Sequence, residues 1–264
     1  MTQTVLSQVE NGIATVTLNR PAKKNAMSFD MMRDLVETGK SLAATQGLRA
    51  VILTGADHCF CAGIDLQSLM SMAPRMDEIR DKILNPPEAE VANEFQAPVT
   101  LWSTLPVPVI AALEGVAYGA GAQLALGADF RIAAPDTRFS IMEAKWGLIP
   151  DMGISQSLPK LMRADIAMEL IMTGRVLGAA EAQNIGLITK LSDDPLAEAM
   201  SLARTLCTKS PDALAAAKKL VNGTWGCGKA GLRLEAELQA AIIGGPNQME
   251  MVMAVMGKRE ARFK

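Results

Sequence analysis

The chain of 264 residues is short of several things, and each shortage closes off a class of function. Its one histidine, His58, cannot furnish a multi-histidine metal site, and no Gly-x-Ser-x-Gly motif accompanies it to suggest a serine hydrolase. A loop or surface role is the better reading for it. The 4 cysteines, Cys59, Cys61, Cys207 and Cys227, are too sparse for a disulfide scaffold. No second Cys or His cluster completes a zinc site beside the Cys59-x-Cys61 pair, so all four read as reduced and no metal is expected. No run approaches the ~18 apolar residues of a membrane span. The stretch from Met1 to Asn11 lacks the basic start and apolar core of a signal peptide, so the expected site of action is the cytoplasm, with no membrane partner. A net charge of −2 provides no field that would gather nucleic acid.

What is present is the balance of a globular protein, 49% hydrophobic and 20% charged. Thr4 to Val9 alternates β-branched and polar residues, reaches Asn11-Gly12, and resumes as Ile13 to Leu18, the pattern of a two-strand hairpin. Ser28 precedes a helical pattern to about Ala44, and Val51 to Thr54 forms a short apolar strand ending at Gly55. Val109 to Leu113 and Phe130 to Ala134 read as further buried strands, each of the kind found in a parallel sheet. Helices follow over Asp165 to Met172 and Ala179 to Asn184, then a strand over Leu187 to Leu191. Beyond Leu196 only helical patterns remain, broken at Pro211, Gly226, Gly244-Gly245-Pro246 and Gly257. The chain therefore divides into an α/β core over 1–195 and a helical region over 196–264. Between Gln67 and Gln96 the pattern is irregular, with Met70, Met72 and Met76 among charges and prolines. Such a long irregular insert suggests short helices around an adaptable apolar pocket.

Two places share one grammar, in which an apolar strand ends at glycine and small residues then open a helix. Val51 to Gly55 precedes Cys61-Ala62-Gly63-Ile64-Asp65-Leu66, and Val109 to Gly115 precedes Gly119-Ala120-Gly121-Ala122-Gln123-Leu124. Parallel neighbouring strands bring their carboxyl ends to one edge of a sheet, so both helix starts could face a common crevice. Each start carries unpaired N–H groups, and small residues let a ligand reach them. Two such amides converging on one point make an oxyanion hole. The Gly119-Ala120-Gly121 run half-matches a dinucleotide loop, but Leu124 stands where the third glycine belongs and no acidic residue follows at the right distance. A Rossmann site is therefore set aside.

These stretches, with Leu18-Asn19-Arg20-Pro21, Asn25-Ala26-Met27, Pro108 to Gly121, Ala179-x-Glu181-Ala182 and Lys258-Arg259 to Phe263, resemble the crotonase superfamily, the enoyl-CoA hydratases and isomerases. The resemblance covers nearly the whole chain. It implies an α/β spiral of ββα units with a helical C-terminal region that builds a homotrimer or a dimer of trimers. It also implies an acyl-CoA thioester as substrate and no resident cofactor, CoA being part of the substrate. Carried onto this sequence, the oxyanion amides fall on Ile64 and Ala120. The CoA contacts fall on Ala26, Ala62 and Ile64, with Lys258 and Phe263 toward the nucleotide end.

The acid–base positions depart from the common pattern. Hydratases of the family use two glutamates, and the first aligns with Gln123, which has no proton to exchange at neutral pH and could only orient a water or a carbonyl. The second aligns with Glu143, whose apolar surroundings would raise its carboxyl toward neutrality. Eight positions on, Asp151 matches the aspartate of dienoyl-CoA isomerases; a Pro-Asp turn capping a helix from about Gly153 is the structural alternative. A Glu143 and Asp151 pair suits double-bond migration in an enoyl- or dienoyl-CoA better than water addition. Hydration by Glu143 alone, and a non-catalytic acyl-CoA-binding role, are the rival expectations.

Overall fold

Asn11 and Gly12 both hold positive φ, 51° and 77°, which is the turn that matches the twist of a two-residue hairpin. They join β1 (Val5–Glu10) to β2 (Ile13–Leu18) with Glu10 opposite Ile13 and Val5 opposite Leu18. The computed structural model describes residues 3–86, 92–225, 246–247, 250, 253–254 and 257–263.

After one tight turn over Pro21–Lys23, Ser28 caps α1 (Phe29–Ala43) by accepting a hydrogen bond from the Met31 N–H. The chain then runs through β3 (Ala50–Gly55), α2 (Leu66–Ser71), α3 (Met76–Leu84) and α4 (Ala97–Thr104). Next come β4 (Val109–Leu113), β5 (Val116–Tyr118), α5 (Ala120–Leu126), β6 (Phe130–Ala133) and β7 (Arg138–Ser140). The remaining elements are α6 (Ile154–Ser157), α7 (Ala164–Thr173), β8 (Leu177–Gly178), α8 (Ala179–Asn184), β9 (Lys190–Leu191), α9 (Pro195–Cys207) and α10 (Pro211–Thr224).

Six strands form the main sheet in the order β1-β2-β3-β4-β6-β9, antiparallel at β1–β2 and parallel thereafter. Its central strands are apolar on both faces because both are covered. Met31, Leu35, Val51, Leu53, Trp102, Val109 and Ala111 pack on one side, while Ala199 and Ala203 of α9 close on Ile13, Ile52, Ile110 and Ile132 from the other. The sequence boundary near 195 thus falls where the chain leaves the sheet edge and begins the helix that covers it. Residues 226–245 of the C-terminal region lie outside the described residues.

A second, smaller sheet joins β5, β7 and β8, with β5–β7 parallel and β7–β8 antiparallel. Isolated parallel bridges, Cys61 with Ala117 and Met27 with Ile64, extend this layer. Each unit therefore sends a long strand through the main sheet, a short stretch through the second layer, and then turns into a helix. The units are β3, Cys61 and α2; β4, β5 and α5; β6, β7 and the helical turn Glu143–Trp146. This is the physical basis of the repeated strand, glycine and small-residue pattern.

Two expectations are corrected, and one is met in part. The strand over Leu187 to Leu191 shrinks to Lys190–Leu191, because the Leu187 and Ile188 amides turn back to the Ala182 carbonyl and close the end of α8. The irregular 67–96 insert does hold helices, α2 and α3, and leaves Met70 75% exposed. Asp151 caps no helix: α6 begins after Gly153 with no side-chain cap.

Candidate active site

The site is assembled by register. Cys61 is bridged to Ala117, and Ala117 pairs with Phe139 of β7, so three segments run side by side in one direction. Three residues further along each (61 to 64, 117 to 120, 139 to 142) stand Ile64, Ala120 and Met142, with Glu143 next. Neighbouring parallel segments in register bring these positions to one edge. The Ala120 N–H opens α5 and, like the Ile64 N–H, donates to no acceptor among the described residues. Both amides are free to meet a ligand oxygen.

Close approach at this seam depends on missing side chains. A Cβ on Gly121 would lie 2.6 Å from the Cβ and the carbonyl oxygen of Cys61, and one on Gly63 would lie 3.1 Å from the Tyr118 carbonyl. The opposite side of Ile64 is fixed by a polar lattice. Arg20 reaches the Ala26 carbonyl and pairs with Asp65 at 3.0 Å, while the other Asp65 oxygen caps α2 at the Ser68 N–H. Desolvation opposes ionisation of Asp65, but the Ser68 amide and Arg20 hold its carboxyl below the usual value. The Met27 N–H donates to Gly63 and the Asp65 N–H donates to Met27, so residue 64 is clamped between two bonds. Asn25, wholly buried, receives the Arg20 N–H and donates to the Ala56 and Cys59 carbonyls. Sequence reading took Asn25 only as part of a motif; its structural work depends on loops distant along the chain.

The Glu143 side chain turns toward Gly119, where a Cβ would lie 3.4 Å from its Oε1. Burial pushes the Glu143 carboxyl above its ordinary value; its own amide and Gln123 pull it back, and the charge of Asp151 adds to the rise. Its Oε2 is buried and has no hydrogen-bond partner among the described residues. Desolvation raises the Asp151 carboxyl as well, although that side chain reaches solvent. A carboxyl raised in this way exchanges a proton more readily near neutral pH.

Gln123 is held by protein at both ends of its amide. It is 1% exposed, its Nε2 donates to Glu143 Oε1 at 2.7 Å, and its Oε1 accepts from the Met152 N–H at 2.8 Å. Protein thus engages Oε1 and one of the two Nε2 hydrogens. Ala26, Ala62 and Ile64 lie along one seam, since the Ala62 N–H donates to the Lys24 carbonyl, two residues before Ala26, and Ile64 is bridged to Met27, the residue after it. Lys258 is exposed. Phe263 stacks on Arg49, 5.0 Å from guanidinium carbon to ring centre. Arg49 immediately precedes β3, at the strand end opposite the loop that carries Ile64, so within the chain Phe263 does not join the amides. His58 is exposed and pairs with Glu114 at 3.0 Å, outside this constellation. No group of three or more metal-ligating side chains occurs among the described residues.

The family model for enoyl-CoA hydratase/isomerase matches residues 8–264. The chain belongs to the enoyl-CoA hydratase/isomerase family. It is 36% identical to the 1,2-epoxyphenylacetyl-CoA isomerase of Escherichia coli K12, over 100% of this chain and 99% of that one. It is 32% identical to mouse mitochondrial methylglutaconyl-CoA hydratase, over 98% of this chain and 82% of that one. The crystal structure of an enoyl-CoA hydratase from Polaromonas sp. JS666 superposes with a TM-score of 0.88 at 30% identity, covering 98% of this chain and 99% of that chain. The spiral of ββα units is thus the crotonase fold, and the protein is an enzyme of the hydratase/isomerase kind. Among the described residues no helix is long and apolar enough to cross a membrane.

Proposed function

We propose that this family member moves the double bond of an enoyl- or dienoyl-CoA. The observation that carries the reading is the Glu143 carboxyl: raised by burial, with Oε2 unpartnered among the described residues, one residue past the position in register with Ala120. The thioester carbonyl lies between the Ile64 and Ala120 N–H groups, and Glu143 takes a proton from carbon. The C–H electron pair becomes the enolate, whose negative charge rests on the carbonyl oxygen between the amides. A proton then returns at the other end of the conjugated system, from Glu143 or from Asp151, and the double bond is left shifted. Each amide contributes on the order of 3 kcal/mol to the transition state.

Two features favour isomerisation over hydration. Gln123 cannot ionise, so the second glutamate of the hydratase pattern is missing, and the second titratable group is Asp151 instead. The neighbouring charges of Glu143 and Asp151 separate their proton affinities, which provides one acid and one base. CoA enters as part of the substrate along Ala26, Ala62 and Ile64, with Lys258 toward its phosphates, and no resident cofactor is required. The working form is a homotrimer or a dimer of trimers in the cytoplasm, which light scattering behind a sizing column and cell fractionation check.

The experiment is to incubate purified protein with 2-enoyl-, 3-enoyl- and 3,5-dienoyl-CoA and follow each product by ultraviolet absorbance and mass. A shifted double bond is the expected product. Dominant formation of 3-hydroxyacyl-CoA, or tight binding without turnover of any of the three, overturns the assignment.

A further inference from the structure

The amide of Gln123 has one orientation open to it. A backbone N–H can only donate, so the Met152 bond requires oxygen at that end, which places the NH₂ against Glu143. Turning the amide over would replace both bonds with donor-to-donor and acceptor-to-acceptor contacts, in a position only 1% exposed. Two consequences follow at the carboxyls. Glu143 Oε1 is occupied, and Oε2 is the oxygen left without a partner among the described residues. The 150–153 loop is pinned at the residue next to Asp151.

We propose that Gln123 is the positioning residue for both carboxyls, presenting Glu143 Oε2 to the substrate and holding Asp151 at the side of Glu143 through the Met152 amide. The inference rests on the reading that these two carboxyls move the proton. It gives Gln123 a function of its own in place of the one lost with an ionisable group.

Gln123→Met removes both bonds at nearly constant volume. The expected result, with whichever of the three thioesters the wild type turns over, is a fall in kcat of about tenfold or more with KM changed less than about threefold. The acid limb of the kcat profile should also move to higher pH, because a donated hydrogen bond favours the ionised carboxylate and its loss raises the carboxyl further. Gln123→Glu serves as the conservative variant. While the pair holds one proton, its added carboxyl accepts from Met152 and donates to Glu143, so activity should be recovered there and lost as pH rises and that proton leaves. Carboxyl carbon NMR on ¹³C-labelled glutamate, with the Glu143 signal assigned by its absence in Glu143→Gln, reports the same titration without turnover.

An unchanged kcat and acid limb in Gln123→Met overturns the proposal, as does a Gln123→Glu variant with no recovery at any pH. Should Gln123→Met fail to fold, the Gln123→Glu profile and the carboxyl titration decide alone. Asp151→Asn should cost less in the Gln123→Met background than in the wild type; strictly additive losses would remove Asp151 from the reach of Gln123. Full activity in Glu143→Gln refutes the reading of Glu143 itself. A dead Glu143→Gln beside an unperturbed Gln123→Met refutes only the positioning role.

Discussion

Gly119 faces Glu143: a Cβ on Gly119 would stand 3.4 Å from Glu143 Oε1. Gly119 also holds φ 49° and ψ −117°, a conformation that side chains with a Cβ rarely adopt, immediately before Ala120. The position is doubly constrained, by backbone and by neighbour. Gly119→Ala should lower stability by roughly 1–3 kcal/mol, read from the urea midpoint, and reduce kcat at least tenfold through displacement of the carboxylate and the Ala120 amide. A variant with native stability and native kcat would show that the segment relaxes freely.

Glu143→Gln should reduce kcat by about 10²-fold or more while leaving the fold intact. It should also change how stability depends on pH. The folded-state carboxyl is raised, so between its unfolded and folded values the native protein binds more protons than the unfolded chain. Stability therefore falls as pH rises through that window, and below it the loss is absent. Denaturant titrations from mildly acidic to mildly alkaline pH should show a shallower decline in the Gln variant than in the wild type. Parallel curves would mean that the carboxyl is not raised.

Lys218 of α10 pairs with Asp129 at 2.8 Å and donates to the Trp102 and Val107 carbonyls, with its side chain only 9% exposed. Burial lowers the proton affinity of this amine and raises that of the Asp129 carboxyl, each partly offset by the partner. Removing one member strands the other. Lys218→Met should cost about 3–5 kcal/mol in chemical denaturation, and Asp129→Asn together with Lys218→Met should cost less than the sum of the two single changes.

Cys61 is fully buried, and burial pushes its thiol up to about 12. In the native protein near pH 8 it should resist iodoacetamide while the denatured chain labels fully, as peptide mass mapping would show. Gly121→Ala, whose added methyl would collide with Cys61, should open the seam and make Cys61 reactive. Rapid native labelling of Cys61 in the wild type would contradict the packing of α5 on this segment.

Local chemistry made much of the fold legible. Asn11-Gly12 announces the hairpin, Ser28 announces α1, and the apolar runs at Val51 and Val109 announce buried parallel strands. The short strands β5 and β7 were not legible, because three residues carry too little periodicity and pair with partners distant along the chain. Helix α4 was hidden by Pro98, which stands in its first turn where proline is tolerated. For the site, the sequence and its resemblance to a family named Ile64, Ala120, Glu143 and Asp151, and the register of the second layer explains how the first three meet.

The sequence by itself determined which residue types are available: two small-residue helix starts, one glutamate after an apolar stretch, and a glutamine where a second acid would stand. Residue identity fixes what a group can donate, accept or ionise, so Gln123 was known to be unable to act as a base. Only the tertiary structure decided what Gln123 does instead, because hydrogen bonding depends on which groups packing brings within about 3 Å. The same holds for Glu143, whose raised carboxyl comes from burial and the charge of Asp151, and for Phe263, which packing on Arg49 holds away from the amides.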